Sequence, residues 1–351
     1  MPTVEIAACQ VHVTAGDYAS AARFEALLER VGRRLDAARA RRPDGAFAHE
    51  CLAVFPEMIG AFLPLAGRSE AARRASTMDG ALARVALRSL PAIARAMRAG
   101  RTLSPTIGLL LAAAPGVRAL YAGAFRRFAI AHSAWVVAGS ALLPRNALGD
   151  LADAFEPDGG RVYNTSYTFA PDGRLAGCAR KVNLVPTLED TLGLSPGSPA
   201  ELRPVEAPFG RVGTMICYDG FYVPHTRREP GFRRLARHYD DLGCAVLAQP
   251  AANPWPWDGR WAFAEPGEVQ LRREQWESEG LLAQLRGEPL CAVRYAATAQ
   301  LLGQVFENRF EGRSHLLARD ASGARVLAEA ARADAAPEAE EVVLRAVEIH
   351  A

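Results

Sequence analysis

Three residues of the 351-residue chain stand at comparable places and have side chains suited to one chemistry: Glu57, Lys181 and Cys217. Each closes or follows an apolar, β-prone run. Glu57 comes after Leu52-Ala-Val-Phe-Pro56, Lys181 lies in Gly177-Cys-Ala-Arg-Lys-Val-Asn-Leu-Val-Pro186, and Cys217 ends Val212-Gly-Thr-Met-Ile-Cys. Strand ends are where pockets form in layered α/β proteins, because the sheet is rigid and the loops diverge there. Together, a carboxylate, an ammonium and a thiol supply a general base, a cation and a nucleophile, as acyl transfer requires. Taken singly, each has a plainer use: Cys217 as a small core residue, Glu57 as a helix cap, Lys181 as a surface side chain with a buried stem.

Composition singles out the lysine. Of 41 basic residues, forty are arginine and Lys181 is the one lysine. A surface salt bridge accepts either type, whereas a site needing a compact ammonium does not accept a planar guanidinium. The chemistry that follows is specific. A free thiol titrates near ~8.5, so a nearby base and cation are needed to make thiolate available at neutral pH. Glu57 is expected to take the thiol proton and return it to a leaving amine. Lys181 and the backbone N–H of Tyr218 are expected to stabilise the tetrahedral oxyanion. The product is a thioester on Cys217, released by water that Glu57 activates.

Hydrophobic spacing gives the elements that must carry these residues. Strands are expected over 4–13, 52–55, 134–140, 211–217 and 245–249. A hairpin runs over 163–170 and 174–185 about Pro171-Asp-Gly173, and late strands cover 291–298, 314–318 and 342–349. Helices are expected over 19–42, 227–241 and 279–285. No repeat or linker divides the chain, so 1–351 reads as a single α/β domain.

Residues 61–130 differ in character. They are helix-prone and carry eleven arginines against Glu70 and Asp79, a net charge of +9, which leaves −7 for the rest of the chain. The sixteen uncharged residues between Arg101 and Arg118 fall short of the ~20 that span a bilayer, and Pro105 and Pro115 are expected to break them. This basic helical insertion directly follows Glu57. Three roles are open to it: a lid over the site, an oligomer contact, or a peripheral contact of 69–130 with an anionic membrane, which would suit long-chain acyl substrates.

Other features narrow the function. The net charge of +2 gives no signal for nucleic acid. Six scattered cysteines form neither a metal-ligand cluster nor a disulfide framework, so no metal or other cofactor is expected, and a reducing compartment is. Met1-Pro-Thr-Val-Glu5 shows no signal-peptide pattern, so a cytoplasmic location is expected, with the inner membrane face as the peripheral alternative. Asn164-Thr-Ser166 fits a glycosylation acceptor, read as carrying no meaning in such a chain.

Phe55-Pro-Glu-Met58, Arg180-Lys-Val-Asn-Leu184 and Gly213-Thr-Met-Ile-Cys-Tyr-Asp-Gly220 resemble the three signatures of the nitrilase (carbon–nitrogen hydrolase) superfamily. The start Ile6-Ala-Ala-Cys-Gln-Val11 with Gly16-Asp17, and later Gly139-Ser140, Gly312-Arg-Ser314 and the run 320–327, match further landmarks, so the resemblance covers about 4–349 apart from the insertion. It implies a four-layer α-β-β-α sandwich, usually a homodimer or larger homo-oligomer, with a Glu57–Lys181–Cys217 triad. It also implies a second glutamate, eight residues after the lysine, at Glu189.

Tyr218-Asp219 after the cysteine looks like the amidase and carbamoylase branches, where nitrile hydrolysis goes more often with tryptophan. Two features depart from the family. Pro224-His225 stands where many members have proline and glutamate, and the usual Arg-x-x-Glu-Asn is missing, with Arg286-Gly-Glu-Pro289 nearby. The loop bearing Trp255, Trp257 and Trp261 borders the pocket by resemblance, and Trp255, Trp257 and Tyr218 are expected to contact substrate. Their alternative is packing beneath the loop or at an oligomer contact. The expected activity is hydrolysis of a linear amide. Acyl transfer from the same thioester and nitrile hydrolysis are the enzymatic alternatives, and a non-catalytic binding protein is the third class.

Overall fold

A computed structural model describes residues 3–67, 75, 77–264, 267 and 269–349. Its strands in chain order are β1 (Thr3–Thr14), β2 (Glu50–Val54), β3 (Trp135–Val137), β4 (Ala141–Asn146), β5 (Pro157–Phe169), β6 (Leu175–Arg180), β7 (Val205–Ala207), β8 (Gly210–Thr214), β9 (Cys244–Ala252), β10 (Tyr295–Val305), β11 (Asn308–Phe310), β12 (His315–Asp320), β13 (Gly323–Glu329) and β14 (Glu341–Glu348). The helices are α1 (Ala21–Ala38), α2 (Met78–Leu87), α3 (Leu90–Gly100), α4 (Pro105–Ala131), α5 (Leu235–Asp241), α6 (Arg272–Glu279) and α7 (Leu281–Gly287).

β1 is the seam of the structure. Its first part pairs in parallel with β2 and antiparallel with β14, and its last residues pair in parallel with β10. The period of two along β1 sorts its side chains. Val4, Ile6 and Ala8 face a core shared with Val246, Ala248, Ala297 and Ala299 of the other half of the sheet, while Ala7, Cys9, Val11 and Val13 face helices. Phe24, Leu27, Leu28, Val31 and Leu35 of α1 cover one outer face. Leu235 of α5, with Leu281 and Leu285 of α7, covers the other. Helix, sheet, sheet and helix thus stack in four layers, each apolar face closed by the next.

The basic segment 61–130 holds α2, α3 and nearly all of α4. α4 runs unbroken for 27 residues through Pro115, against the expectation of a break. One lost backbone hydrogen bond is outweighed by burial on both sides of the proline: Leu109, Leu110 and Leu111 before it, Tyr121, Phe125 and Phe128 after it. Pro105 occupies the first turn, where its missing N–H is harmless. α4 is long and apolar enough to cross a membrane by length and composition, and most of its apolar stretch is buried inside the protein.

Three other expectations change. The helix over 227–241 shrinks to α5, because Pro230-Gly231 interrupts its first half. The strand over 211–217 ends at Thr214, so Cys217 lies beyond it in a turn. The second arm of the hairpin ends at Arg180, so Lys181 begins a loop.

Candidate active site

Glu57 is held by the turn that follows β2. Met58, at φ 64°, donates its N–H to Ser140 Oγ at 2.9 Å, and Gly60 donates to the Ser140 carbonyl at 2.8 Å. Gly139, at φ 75°, allows this close approach. A Cβ there would fall 2.1 Å from the Pro56 carbonyl oxygen. The loop after β3 therefore clamps the residues on either side of Glu57.

Lys181 donates its N–H to the Asn164 carbonyl of β5 at 2.9 Å, and its own carbonyl accepts from Gly197 at 2.7 Å. The buried carboxylate of Asp219 reaches across from the cysteine turn. It accepts the N–H groups of Val182 at 3.1 Å, Asn183 at 2.7 Å and Ile216 at 3.1 Å. One side chain thus ties the lysine loop to the cysteine turn.

Cys217 has φ 49° and opens a single 3-10 turn, Cys217–Gly220. Gln249 of β9 donates from Nε2 to the Cys217 carbonyl at 2.7 Å, and its own Oε1 accepts from Thr298 Oγ1 at 2.6 Å. The Tyr218 N–H lies in the first turn, where no intrahelical acceptor exists.

These loops bring Glu57, Lys181, Glu189 and Cys217 to one buried place. Lys181 Nζ lies 2.7 Å from Glu57 Oε1 and 2.6 Å from Glu189 Oε2. Asn164 Nδ2 donates to Glu57 Oε1 and Glu189 Oε1, both at 2.8 Å, and the Val185 N–H donates to Glu189 at 3.0 Å. The Cys217 thiol contacts the Glu57 carboxylate and lies 3.6 Å from the Ala252 carbonyl oxygen.

Burial raises the Glu57 pKa, and the nearby Glu189 charge adds to this against the pull of Lys181. Burial would lower the Lys181 pKa, but Glu189 and Glu57 outweigh it and hold the ammonium well above its ordinary value. Burial, then the Glu57 charge, pushes the Cys217 thiol up. The resting arrangement is therefore a protonated thiol beside a carboxylate and a fixed cation.

The site opens into a cavity of about 380 Å3 with largely apolar walls that include Met58, Phe62, Leu192, Trp255 and Phe310. Met78 of α2 lines it as well, so the basic segment contributes to the wall. Trp255 stands at the cavity, but Trp257 does not. Trp257 packs against Trp276 and donates its N–H to Glu311 Oε2 at 2.8 Å. The Tyr218 side chain also points elsewhere: its hydroxyl donates to Glu229 Oε2 at 2.7 Å and its ring stacks on His225.

Sequence reasoning missed Asn164, His225 and Arg272 as parts of the site. Asn164, which fits a glycosylation acceptor by pattern, has its side chain wholly buried between two carboxylates. Among the described residues, no group of three or more His, Cys, Asp or Glu is arranged to hold a metal ion.

A family model described as carbon–nitrogen hydrolase matches residues 111–237, which include Lys181, Glu189 and Cys217. Human omega-amidase NIT2 is 36% identical over 104 residues, and its zebrafish (Danio rerio) counterpart 38% over 104 residues. These matches cover 28% of this chain and 33% of each relative, so the chain spans about a third of their length. Among solved structures, the carbon–nitrogen hydrolase of Helicobacter pylori G27 superposes with a TM-score of 0.58 at 16% identity, covering 99% of this chain and 90% of that one. Saccharomyces cerevisiae Nit3, of the nitrilase superfamily, gives 0.52 at 17% identity, with 99% and 90% covered. The mixed α/β fold is theirs. Residues 111–237 thus match the carbon–nitrogen hydrolase family, and the fold is shared with solved structures described as members of the nitrilase superfamily.

Proposed function

We propose that this chain is an amidase that hydrolyses a linear, non-peptide C–N bond through a thioester on Cys217. The observation that carries the reading is Lys181 Nζ, fixed 2.7 Å from Glu57 and 2.6 Å from Glu189 beside the Cys217 thiol. Glu57 takes the thiol proton as sulfur attacks the amide carbonyl. The oxyanion is met by Lys181 and the Tyr218 N–H, donors commonly worth ~3–4 kcal/mol each in such sites. Glu57 then gives its proton to the departing amine, and a water molecule deprotonated by Glu57 cleaves the thioester. Glu189 and Asn164 hold Lys181 and Glu57 in register through both steps. Support also comes from the relatives named omega-amidase and from a Nesterenkonia amidase structure described with acrylamide added at its active-site cysteine.

The test is ammonia release from a panel of amides, carbamoyl compounds and nitriles, with intact mass recorded for an acyl adduct. The expected result is amide turnover and an adduct absent from Cys217→Ala. Turnover that survives in Cys217→Ala would overturn the reading.

A further inference from the structure

We propose that the outward face of α2 and α3 is a docking surface for an anionic lipid bilayer. That face takes no part in the chemistry at Cys217, so its occupant is independent of the amidase reading.

Charge is distributed unevenly along the chain. From Gly80 to Gly149 there are nine arginines and no aspartate or glutamate. Four of the nine are engaged by other parts of the fold. Arg118 donates to the Tyr167 hydroxyl and the Ala152 carbonyl, Arg126 pairs with Asp153, Arg127 with Glu25 and Arg145 with Glu201. Arg88, Arg95, Arg98 and Arg101 are instead exposed, and among the described residues no carboxylate pairs with them.

Large apolar side chains are exposed in the same stretch. Leu87 is 70% exposed, Leu90 56% and Leu103 95%. Leu87 and Leu90 flank Arg88 where α2 passes into α3, and Leu103 follows Arg101 where α3 passes into α4. Between them, Pro91, Ala94, Arg95 and Arg98 are exposed at helical spacing, while Ile93 and Met97 turn toward α4. A Cβ at Gly108 of α4 would fall 2.3 Å from Met97 Cγ, so α3 lies closely on α4 and its outward side is fixed. One face therefore offers leucines at both ends and arginines along its length.

This combination selects its partner. At a bilayer surface, aliphatic side chains leave water while guanidiniums on flexible stems reach the phosphates of the same interface. Nucleic acid would satisfy the arginines and leave the leucines in water. A second copy meeting the face about a two-fold axis would set arginine against arginine, since an isologous contact must be self-complementary. α4, long and apolar enough to cross a membrane, is mostly buried inside the protein, so the contact is peripheral. Met78 at the start of α2 lines the catalytic cavity, and Leu87 ends that helix roughly 14 Å further along its axis. Docking would hold the cavity close to the lipid surface.

The experiment is co-sedimentation of the full chain with vesicles of phosphatidylcholine, alone or mixed with phosphatidylserine. Binding about tenfold or more tighter to the mixed vesicles is expected. It should weaken as salt shortens the Debye length from ~10 Å at 0.1 M to ~3 Å at 1 M. Each arginine near an anionic surface contributes roughly fivefold, so the fourfold variant Arg88→Gln/Arg95→Gln/Arg98→Gln/Arg101→Gln should lose about 100-fold or more. Leu87→Ser/Leu103→Ser should lose about tenfold or more, from the apolar area left in water. Removing the same charge from exposed arginines elsewhere, in Arg23→Gln/Arg203→Gln/Arg260→Gln/Arg345→Gln, should leave binding near that of the wild type.

No sedimentation of the wild type with the mixed vesicles overturns the proposal. So does undiminished binding by the first arginine variant, or equal loss in the two arginine variants. Tighter binding to a DNA duplex than to vesicles, with the leucine variant unaffected, would assign the face to nucleic acid and overturn the bilayer. An oligomer in light scattering that dissociates in the leucine variant would assign it to a second copy, with the same consequence. If the first arginine variant does not fold, the comparison of vesicles and the leucine variant still decide the matter. Amide turnover enters none of these readouts, so the docking surface and the amidase reading stand or fall separately.

Discussion

The Asp219 carboxylate, two residues after Cys217, accepts the backbone N–H of Asn183, two residues after Lys181, at 2.7 Å. The spacing between the Cys217 turn and the Lys181 loop is thus set by a buried carboxylate bonded to both. Asp219→Ala would leave the N–H groups of Val182, Asn183 and Ile216 buried without that acceptor. We expect a loss of about 3–5 kcal/mol by denaturant unfolding, since each orphaned buried donor costs about 1–3 kcal/mol. Asp219→Asn, which keeps one acceptor oxygen, should lose less.

Asn164→Ala removes the donor shared by Glu57 and Glu189. The two carboxylates then rely on Lys181 alone. Steady-state kinetics should show kcat reduced about 10–100-fold, the usual range for losing a group that orients reacting side chains. Cys217 should remain open to alkylation. An unchanged kcat would remove Asn164 from the positioning network.

Lys181→Arg retains the charge and replaces a point donor by a broader planar fork. With carboxylates at 2.6 and 2.7 Å, the space fits an ammonium. A fall in kcat of about 10²–10³ is expected, comparable to removing an oxyanion donor. Wild-type activity in this variant would refute the role given to the lysine.

The pH dependence follows from Glu57, whose pKa burial raises. Protonated Glu57 cannot accept the thiol proton, so activity is lost as pH falls. The acid limb of kcat/KM should therefore lie above the ordinary glutamate value of ~4.3. Activity that instead tracked thiolate formation at alkaline pH would mean that the thiol ionises without Glu57.

Gly139→Ala tests the clamp behind Glu57. The added Cβ meets the Pro56 carbonyl at 2.1 Å, at a residue whose φ is 75°. Backbone there must shift, so a loss of about 2 kcal/mol or more is expected. Activity should fall further than stability explains, because Pro56 carries Glu57. Thermal unfolding and kcat measured on the same preparation check both.

Glu57, Lys181 and Cys217, which the fold brings together, were legible as candidates because each lies in a short, distinctive run and Lys181 had no compositional rival. The α/β class was legible from apolar, β-prone runs such as those of β1 and β2, and the four layers only through the family resemblance. The residues that were not legible act through long-range contacts. Asn164 sits 107 positions from Glu57, and nothing local marks it. Arg272 is one of forty arginines, and only the fold shows that it is buried. Pro115 misled because local propensity gives a broken helix, while the core packing on both sides keeps α4 continuous. The turn at Cys217 is not legible in the sequence, because its left-handed backbone has no signature in the residue itself.

The solitary lysine has a practical consequence. Protein grown on isotope-labelled lysine carries one labelled ammonium, and it lies between Glu57 and Glu189. A single nuclear resonance then reports changes in protonation and occupancy at that place without assignment of the rest of the spectrum. A lysine-specific protease likewise has one cleavage site, buried until the fold opens, so the appearance of two fragments becomes a direct clock for unfolding at the catalytic centre.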